Sequence, residues 1–319
     1  MTLDPTTVEG RGTAIQILVV VASMLCWAMA WNRWRSPRKM VQGLAPAFRR
    51  TPPYWSLFDA VLIALTSMMA VQLCVGGLAT VGLFVPSKSP EFAIPVDPLA
   101  GSVAVTTGQW MTMVFITYLL SRRGQAIDAI GWRPRTGDVS LGLLWSLLLI
   151  PPVLIFAALV NHFLKDYQHQ TLDLLRAETS VAGWAILFIG TGVCTPITEE
   201  FLFRGILQGA FERLGMLRRL RSQLLATRNS RQRSELLDDH LQQLERGDIK
   251  PPILAVFGSS LVFAAGHIGQ GYAFIPLFFF ALGLGWLFQR TGSLWPGIVV
   301  HAMLNLLTLA SVLTYPDVA

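Results

Sequence analysis

Charge is scarce in this chain. Only 14% of its 319 residues are Asp, Glu, Lys or Arg, while 53% are hydrophobic; ordinary soluble domains carry roughly 25% charged residues. That excludes a large soluble core and leaves a polytopic membrane protein. Cysteine is scarce too. Cys26, Cys74 and Cys194 each sit inside an apolar run, with no CxxC and no Cys/His cluster, which excludes a disulfide framework and a zinc knuckle. The sequence also lacks an HExxH pair, a glycine-rich phosphate loop, an internal repeat and any low-complexity tract. What it does have fits the membrane class: ten Trp to anchor at interfaces and 27 Gly to let helices approach closely. The net charge of +6 and pI near 9.6 follow from basic cytoplasmic loops, so the bilayer is expected as a partner and nucleic acid is not.

Apolar windows of roughly 18–25 residues are long enough to cross a bilayer. Eight are present, at about 13–31, 58–85, 102–120, 139–163, 181–209, 252–268, 273–289 and 295–314. The expected fold class is therefore all-α, a polytopic bundle of about eight spans. Ala28-Met29-Ala30 resembles a signal-peptidase site, but Trp31 follows it directly and only Arg11 precedes the apolar run, so cleavage is not expected. Loop charge orders the spans. Segments 32–57, 121–138 and 210–251 carry six, four and nine basic residues, whereas 86–101 carries Lys88 alone and 164–180 only Lys165 and Arg176. Every second connector is the basic one, which assigns 32–57, 121–138, 210–251 and 290–294 to the cytoplasm and both termini to the other side.

This organisation divides the chain in two. Residues 1–135 hold about three spans and no evident chemistry, and they are expected to wall the bundle or shape substrate access. Residues 136–319 hold the motifs described next, interrupted by a hydrophilic insertion at 210–251. In that insertion Leu214, Leu217, Leu220 and Leu224, then Leu237, Leu241 and Leu244, recur at helical spacing among charges. The pattern reads as one or two amphipathic helices, either a solvated hairpin or a contact with the lipid surface or the bundle.

Three polar patterns interrupt the apolar second half: Glu199-Glu200-Phe201-Leu202-Phe203-Arg204, Phe263-Ala264-Ala265-Gly266-His267, and His301-Ala302-Met303-Leu304-Asn305. Ionisable groups at membrane depth cost a few kcal/mol or more each and mark function by default. Residues four apart share a helix face, which stacks Glu200 with Arg204 as an ion pair and Glu199 with Phe203. Glu199, about 100° away, is left without a partner on its own helix, and His267 is a candidate for that place. His301 and Asn305 share a face, as interhelical glue or as paired donors. As a set, a carboxylate and an imidazole can deprotonate water. A second His and an Asn can donate to an oxyanion, an effect of about 3 kcal/mol per donor. One difficulty is depth. On straight helices His301 lies about 10 Å from its loop and His267 some 24 Å from Pro251, so one helix must be tilted or recessed.

The ordered set EExxFR, FxxxH, HxxxN over about residues 180–312 resembles the CAAX prenyl protease and bacteriocin-processing (CPBP, or ABI) family of intramembrane proteases. The link Arg290-Thr291-Gly292-Ser293-Leu294-Trp295 is similar to that family's approach to its last motif helix. The resemblance implies an all-helical intramembrane endopeptidase, a hydrolase acting on a membrane-associated protein or peptide, with its active site opening toward the cytoplasmic side. It implies Glu199 as water-activating base paired with His267, His301 and Asn305 as the oxyanion site, and Glu200 and Arg204 as support, with Phe203 and Phe263 packing around them. The 210–251 insertion is longer than is usual for the family, and residues 1–135 have no counterpart. The family has carried a metallopeptidase label; with the histidines on separate spans, no cofactor is expected, and zinc is the alternative. Two other functions stay open: a membrane scaffold or chaperone that binds a partner protein, and a transporter using the same residues as a proton relay, for which paired inverted repeats would be required.

Overall fold

The computed structural model describes residues 8–80, 98–164, 180–246 and 251–314, apart from 46, 49, 123 and 125. The connectors at 86–97 and 165–179, with Lys88, Lys165 and Arg176, lie outside the described residues. Helices α1 (Val8–Trp34), α2 (Pro37–Leu44), α3 (Leu57–Thr80), α4 (Pro98–Ser121), α5 (Ala126–Ile130) and α6 (Asp138–Leu164) precede the motif region. A long helix α7 (Val181–Ala226) follows, then α8 (Ser230–Arg246), α9 (Ile253–Ala265), α10 (Phe274–Thr291) and α11 (Trp295–Thr314). No strand occurs among the described residues. The protein is all-α and an integral, multi-pass membrane protein: five helices are long and apolar enough to span a bilayer. With α1, α9 and α11 the total reaches the eight apolar segments of the sequence.

Two of those segments depart from a simple span. Helix α7 is 46 residues long, about 69 Å, so it runs well beyond a hydrocarbon core of about 30 Å. Its last turns carry Arg213, Arg218, Arg219 and Arg221, and the hydrophilic stretch continues into the exposed α8. The insertion is thus two helices, the first an extension of a membrane span, packed by Ala210, Glu212 and Met216. Helix α9 has 13 residues, about 20 Å, too short to cross alone. Ala28-Met29-Ala30 lies inside α1, where Ala30 is buried against α6 and the Trp27 indole donates to Leu148 O.

Two apolar clusters hold the bundle. One joins Trp55, Ile63, Ile116 and Ile130 to Phe201, Ile206, Phe288 and Leu294; the other joins Ala30 and Leu44 to Trp145, Leu148, Phe280, Leu284 and Val300. The basic connectors meet at one end of the bundle. Leu294 N donates to Gly131 O (2.9 Å), Phe48 N to Arg290 O (3.2 Å) and the Trp295 indole to Trp132 O (2.8 Å). Arg213 donates to Tyr54 O, and Ser293 Oγ donates to the buried Asp138 carboxylate (2.7 Å). Gly292, at φ +61°, closes α10 in a left-handed conformation that spares a side chain the strain.

Inside this end lies a second buried charge pair. Glu212 of α7 meets Arg50, whose guanidinium stacks 4.3 Å from the Phe288 ring centre. Gln208 Nε2 donates both to Glu212 (3.2 Å) and to Gly285 O (3.0 Å). Arg50→Met strands the Glu212 carboxylate, and breaking a buried pair in this way costs about 3–5 kcal/mol. Thermal unfolding in detergent is expected to show that loss, and Arg50→Met/Glu212→Leu is expected to recover most of it. A double variant as unstable as the single one would show that the charges contribute packing only.

Candidate active site

Helix α7 changes its winding on both sides of the two glutamates. Gly190–Cys194 and Phe201–Gln208 are π-helical, and the six residues between, Thr195–Glu200, are α-helical. Single π turns are rare and occur at functional sites. The first has a local cause. Pro196 has no N–H and its ring collides with the carbonyl one α-turn back, so widening relieves the clash. Thr195 N–H accordingly donates to Gly190 O, five residues back. The next bond of that pattern would run from residue 196 to Thr191 O, and proline cannot make it. The Asn305 amide does so instead, Nδ2 to Thr191 O at 2.9 Å. Asn305 on α11 therefore satisfies a carbonyl that Pro196 leaves open on α7.

Glu199 and Glu200 diverge as adjacent helical residues must. Glu200 is 1% exposed and is held twice: Arg204 Nε lies 3.1 Å from Oε2, and His301 Nδ1 3.0 Å from Oε1. A carboxylate ionised against Arg204 can only accept, so Nδ1 of His301 carries the hydrogen. That leaves Nε2 of the same ring facing Glu199, 3.6 Å from its Oε2. Glu199 is 19% exposed and borders a cavity. The expected i,i+4 pair of Glu200 and Arg204 is present, and it extends across helices to His301. The expected pairing of Glu199 with His267 is not the contact found: the near imidazole is His301, because Glu200 draws that ring between the two carboxylates.

Phe263 organises the remaining groups. Fully buried, it packs edge-on to Phe203 (5.0 Å between centroids) and to His301 (5.9 Å), and Arg204 lies 4.7 Å over its face. His267, just past the end of α9, folds back so that its ring is 4.7 Å from that of Phe263 and its Nδ1 donates to Phe263 O (2.8 Å). The short α9 and this fold-back bring His267 level with His301. A cavity of about 480 Å³ is lined by Glu199, His267, His301 and Asn305 together, and also by Thr106, Thr191, Asn161, Gln270 and apolar side chains of α6 and α11.

Residues 181–307 match the family model described as Type II CAAX prenyl endopeptidase Rce1-like. Over this segment the chain is similar to the CAAX prenyl proteases. No curated protein and no solved structure matches the chain. The matched segment starts with α7 and ends just past Asn305, so it contains all three motifs, and the match supports an intramembrane protease. The protease domain leans on helices outside the match. Val153, Leu154, Ala157 and Asn161 of α6 form one wall of its cavity, and Trp55 donates to Ile206 O of α7 (2.8 Å).

Among the described residues no three His, Cys, Asp or Glu side chains are placed to share a metal ion. Some site residues gave no signal in sequence. Gly297 faces Glu200, where a Cβ would stand 3.2 Å from Oε2, and a glycine after Trp-Pro reads only as a helix start. Pro196 did give a signal, since proline within a helical run demands distortion.

Asn305→Ala is expected to leave Thr191 O without a partner, a loss of about 1–3 kcal/mol for a buried carbonyl. In a Pro196→Ala background, residue 196 regains an N–H and the same substitution is expected to cost distinctly less. A thermal-unfolding cycle over the four proteins reads the coupling, and additive losses would rule out the exchange of donors.

Proposed function

We propose that this chain is an intramembrane endopeptidase that hydrolyses a peptide bond of a membrane-associated protein or peptide with a water activated by Glu199 and His267. The carrying observation is that Glu199, His267, His301 and Asn305 border one cavity, with Glu199 3.6 Å from His301. His267 donates from Nδ1 to Phe263 O, so its neutral ring has a bare Nε2 that can accept a hydrogen from the attacking water. Glu199, the more accessible of the two carboxylates, takes the proton as the bond forms. The second amide hydrogen of Asn305, and His301 when protonated at both nitrogens, donate to the developing oxyanion. As the tetrahedral intermediate collapses, Glu199 gives its proton to the leaving amine nitrogen and the C–N bond breaks. Glu200 is a positioning residue: its bond to Nδ1 fixes the angle of His301, and Arg204 is its ion-pair partner. Phe203 and Phe263 exclude water from behind the pair. Helices α1–α4 act as support and as a wall of the access path, and residues 136–319 act as the catalytic unit, with 210–251 as its cytoplasmic insertion.

One observation favours a non-catalytic scaffold. Glu200, Arg204, His301 and Asn305 each have a structural partner, so packing alone accounts for four of the polar residues. It does not account for Glu199 beside a cavity or for the free nitrogen of His267. Glu199→Gln keeps shape and hydrogen bonding but cannot take the proton, and it is expected to lower cleavage about 10²–10⁴-fold with unfolding temperature unchanged. Undiminished turnover by Glu199→Gln would remove Glu199 from the chemistry, and absence of any cleavage by the wild-type protein would hand it to the scaffold reading.

The donor set also bears on metal dependence. EDTA or 1,10-phenanthroline is expected to leave activity intact, because the side chains do not assemble a three-ligand site. Complete loss with chelator, restored by zinc, would overturn this.

A further inference from the structure

We infer that the cavity receives its substrate from the non-cytoplasmic face of the membrane, and that the substrate is the outer part of a membrane anchor belonging to an exported protein. The inference rests on the protease reading for the substrate, and on geometry and charge alone for the side. The two ends of the bundle differ sharply in charge. Twenty of the 25 Lys and Arg residues fall in 32–57, 121–138, 210–251 and 290–294, four fall in the alternate connectors and the N-terminal segment, and one is the buried Arg204. Contacts between the basic connectors bring them to a single end, as the bonds from Leu294 to Gly131, Phe48 to Arg290 and Arg213 to Tyr54 record. Basic connectors of multi-spanning proteins stay in the cytoplasm, so this end is cytoplasmic.

The cavity belongs to the other end. Its walls are the beginning of α4 (Ser102, Thr106), the last turns of α6 (Ala157 to Leu164), the beginning of α7 (Leu187, Thr191), the end of α11 (Leu304 to Leu309) and the turn at Gln270–Ala273. These lie in the halves of their helices away from the basic connectors, and the cavity reaches inward from there to Val153, Glu199 and His301 near the middle of the bundle. Toward the cytoplasm the site is backed by packed side chains: Arg204, Gln208, Phe280 and Leu284 are each at most 1% exposed. Cytoplasmic basic connectors and a site opening to the cytoplasm, both expected from sequence, are therefore incompatible in this fold, and the charge distribution decides for the first.

The walls also say what enters. Among the described residues Glu199 is the single acidic residue of the lining and no Lys or Arg contributes, while Val and Leu with Ala predominate and Thr, Asn and Gln lie between them. A wall of this kind suits a neutral apolar segment with an exposed peptide backbone, such as the outer end of a transmembrane anchor. A cytosolic C-terminal peptide would have to pass the packed side.

The side is read with the full-length protein in sealed right-side-out and inverted vesicles prepared from expressing cells. Trypsin is expected to cut the exposed turn at Arg228, Arg231 and Arg233 in inverted vesicles only. Gly269→Cys sits in the 266–273 turn where an added side chain meets open space. A membrane-impermeant maleimide is expected to label it above the parent protein's level in right-side-out vesicles only. The reverse pattern, or cutting and labelling from both sides, overturns the orientation. The substrate is read by comparing protein termini in cells carrying wild type or Glu199→Gln. Glu199-dependent cuts in the outer half of anchors support the assignment, and cuts in cytosolic tails overturn it. With the expected sidedness but no Glu199-dependent cut anywhere, the protease reading falls while the orientation stands, since neither vesicle readout uses activity.

Discussion

The carboxylate of Glu200 is the constraint on which the rest of the site depends. It is almost wholly buried, and a carboxylate at that depth is tolerable only when paired and hydrogen-bonded. Arg204 supplies the charge from one turn along α7, and His301 supplies a hydrogen from α11. The guanidinium must itself be accommodated, and it is, over the face of Phe263 on α9 and toward Ala281 O on α10. One ionised group thus fixes the relative placement of four helices. Gly297 matters for the same reason, because the α11 backbone must come close enough for its histidine to reach the carboxylate.

Much of the architecture was legible because lipid makes hydropathy decisive. The eight apolar windows correspond to helices, and the i,i+4 relation identified the Glu200–Arg204 pair, since both residues lie on one helix and spacing alone determines the contact. Contacts between helices were not legible in that way. Whether Glu199 meets His267 or His301 depends on how α9 and α11 stand against α7. Spacing offers no rule for that, and the histidine claimed by Glu200 is the one that ends beside Glu199. The π turns were half legible. Pro196 announces a break in α-geometry, but its type, and the donation of Asn305 to Thr191 O, follow only once both helices are in place. Helix α9 was read as longer than it is. Gly266 and His267 continue the apolar window, yet the helix stops at Ala265. That shortening is only about 3 Å, and the two imidazoles come together because both rings pack against Phe263.

The same physics explains why the cavity lies where it does. Helix α7 crosses the membrane and continues about 18 residues beyond Gln208 as a rod whose inner face is tied down by Glu212 and Gln208. That network occupies the space between α7, α9 and α10 on the basic side, with Ser259 Oγ approaching Gln208 Oε1 (3.4 Å). At the opposite end the described contacts are a smaller apolar cluster of Leu187, Leu309, Leu99, Trp184 and Phe188 and the bond from Asn305 to Thr191 O. Short α9 stops before it can fill the gap between α6, α7 and α11, and the space it leaves is the cavity. A helix too short to span is a means of placing a polar residue at membrane depth without burying a charged loop beside it.

Polar groups within a membrane bundle need partners, so the partnerships themselves indicate which groups are kept for chemistry. Arg204 and Glu200 hold each other, Asn305 answers Thr191, and His301 is held by Glu200 at one nitrogen. Two groups have less to do in holding the fold: the Glu199 carboxylate, whose near contact is a histidine nitrogen at 3.6 Å, and Nε2 of His267. They border the same cavity, and they are the two acceptors proposed to hold and deprotonate the attacking water. A bundle selected for packing alone would place leucine at both positions, since burying an unneeded carboxylate and imidazole lowers stability with no compensating bond. The residues that the fold does not explain are, on that ground, the ones proposed here for the reaction.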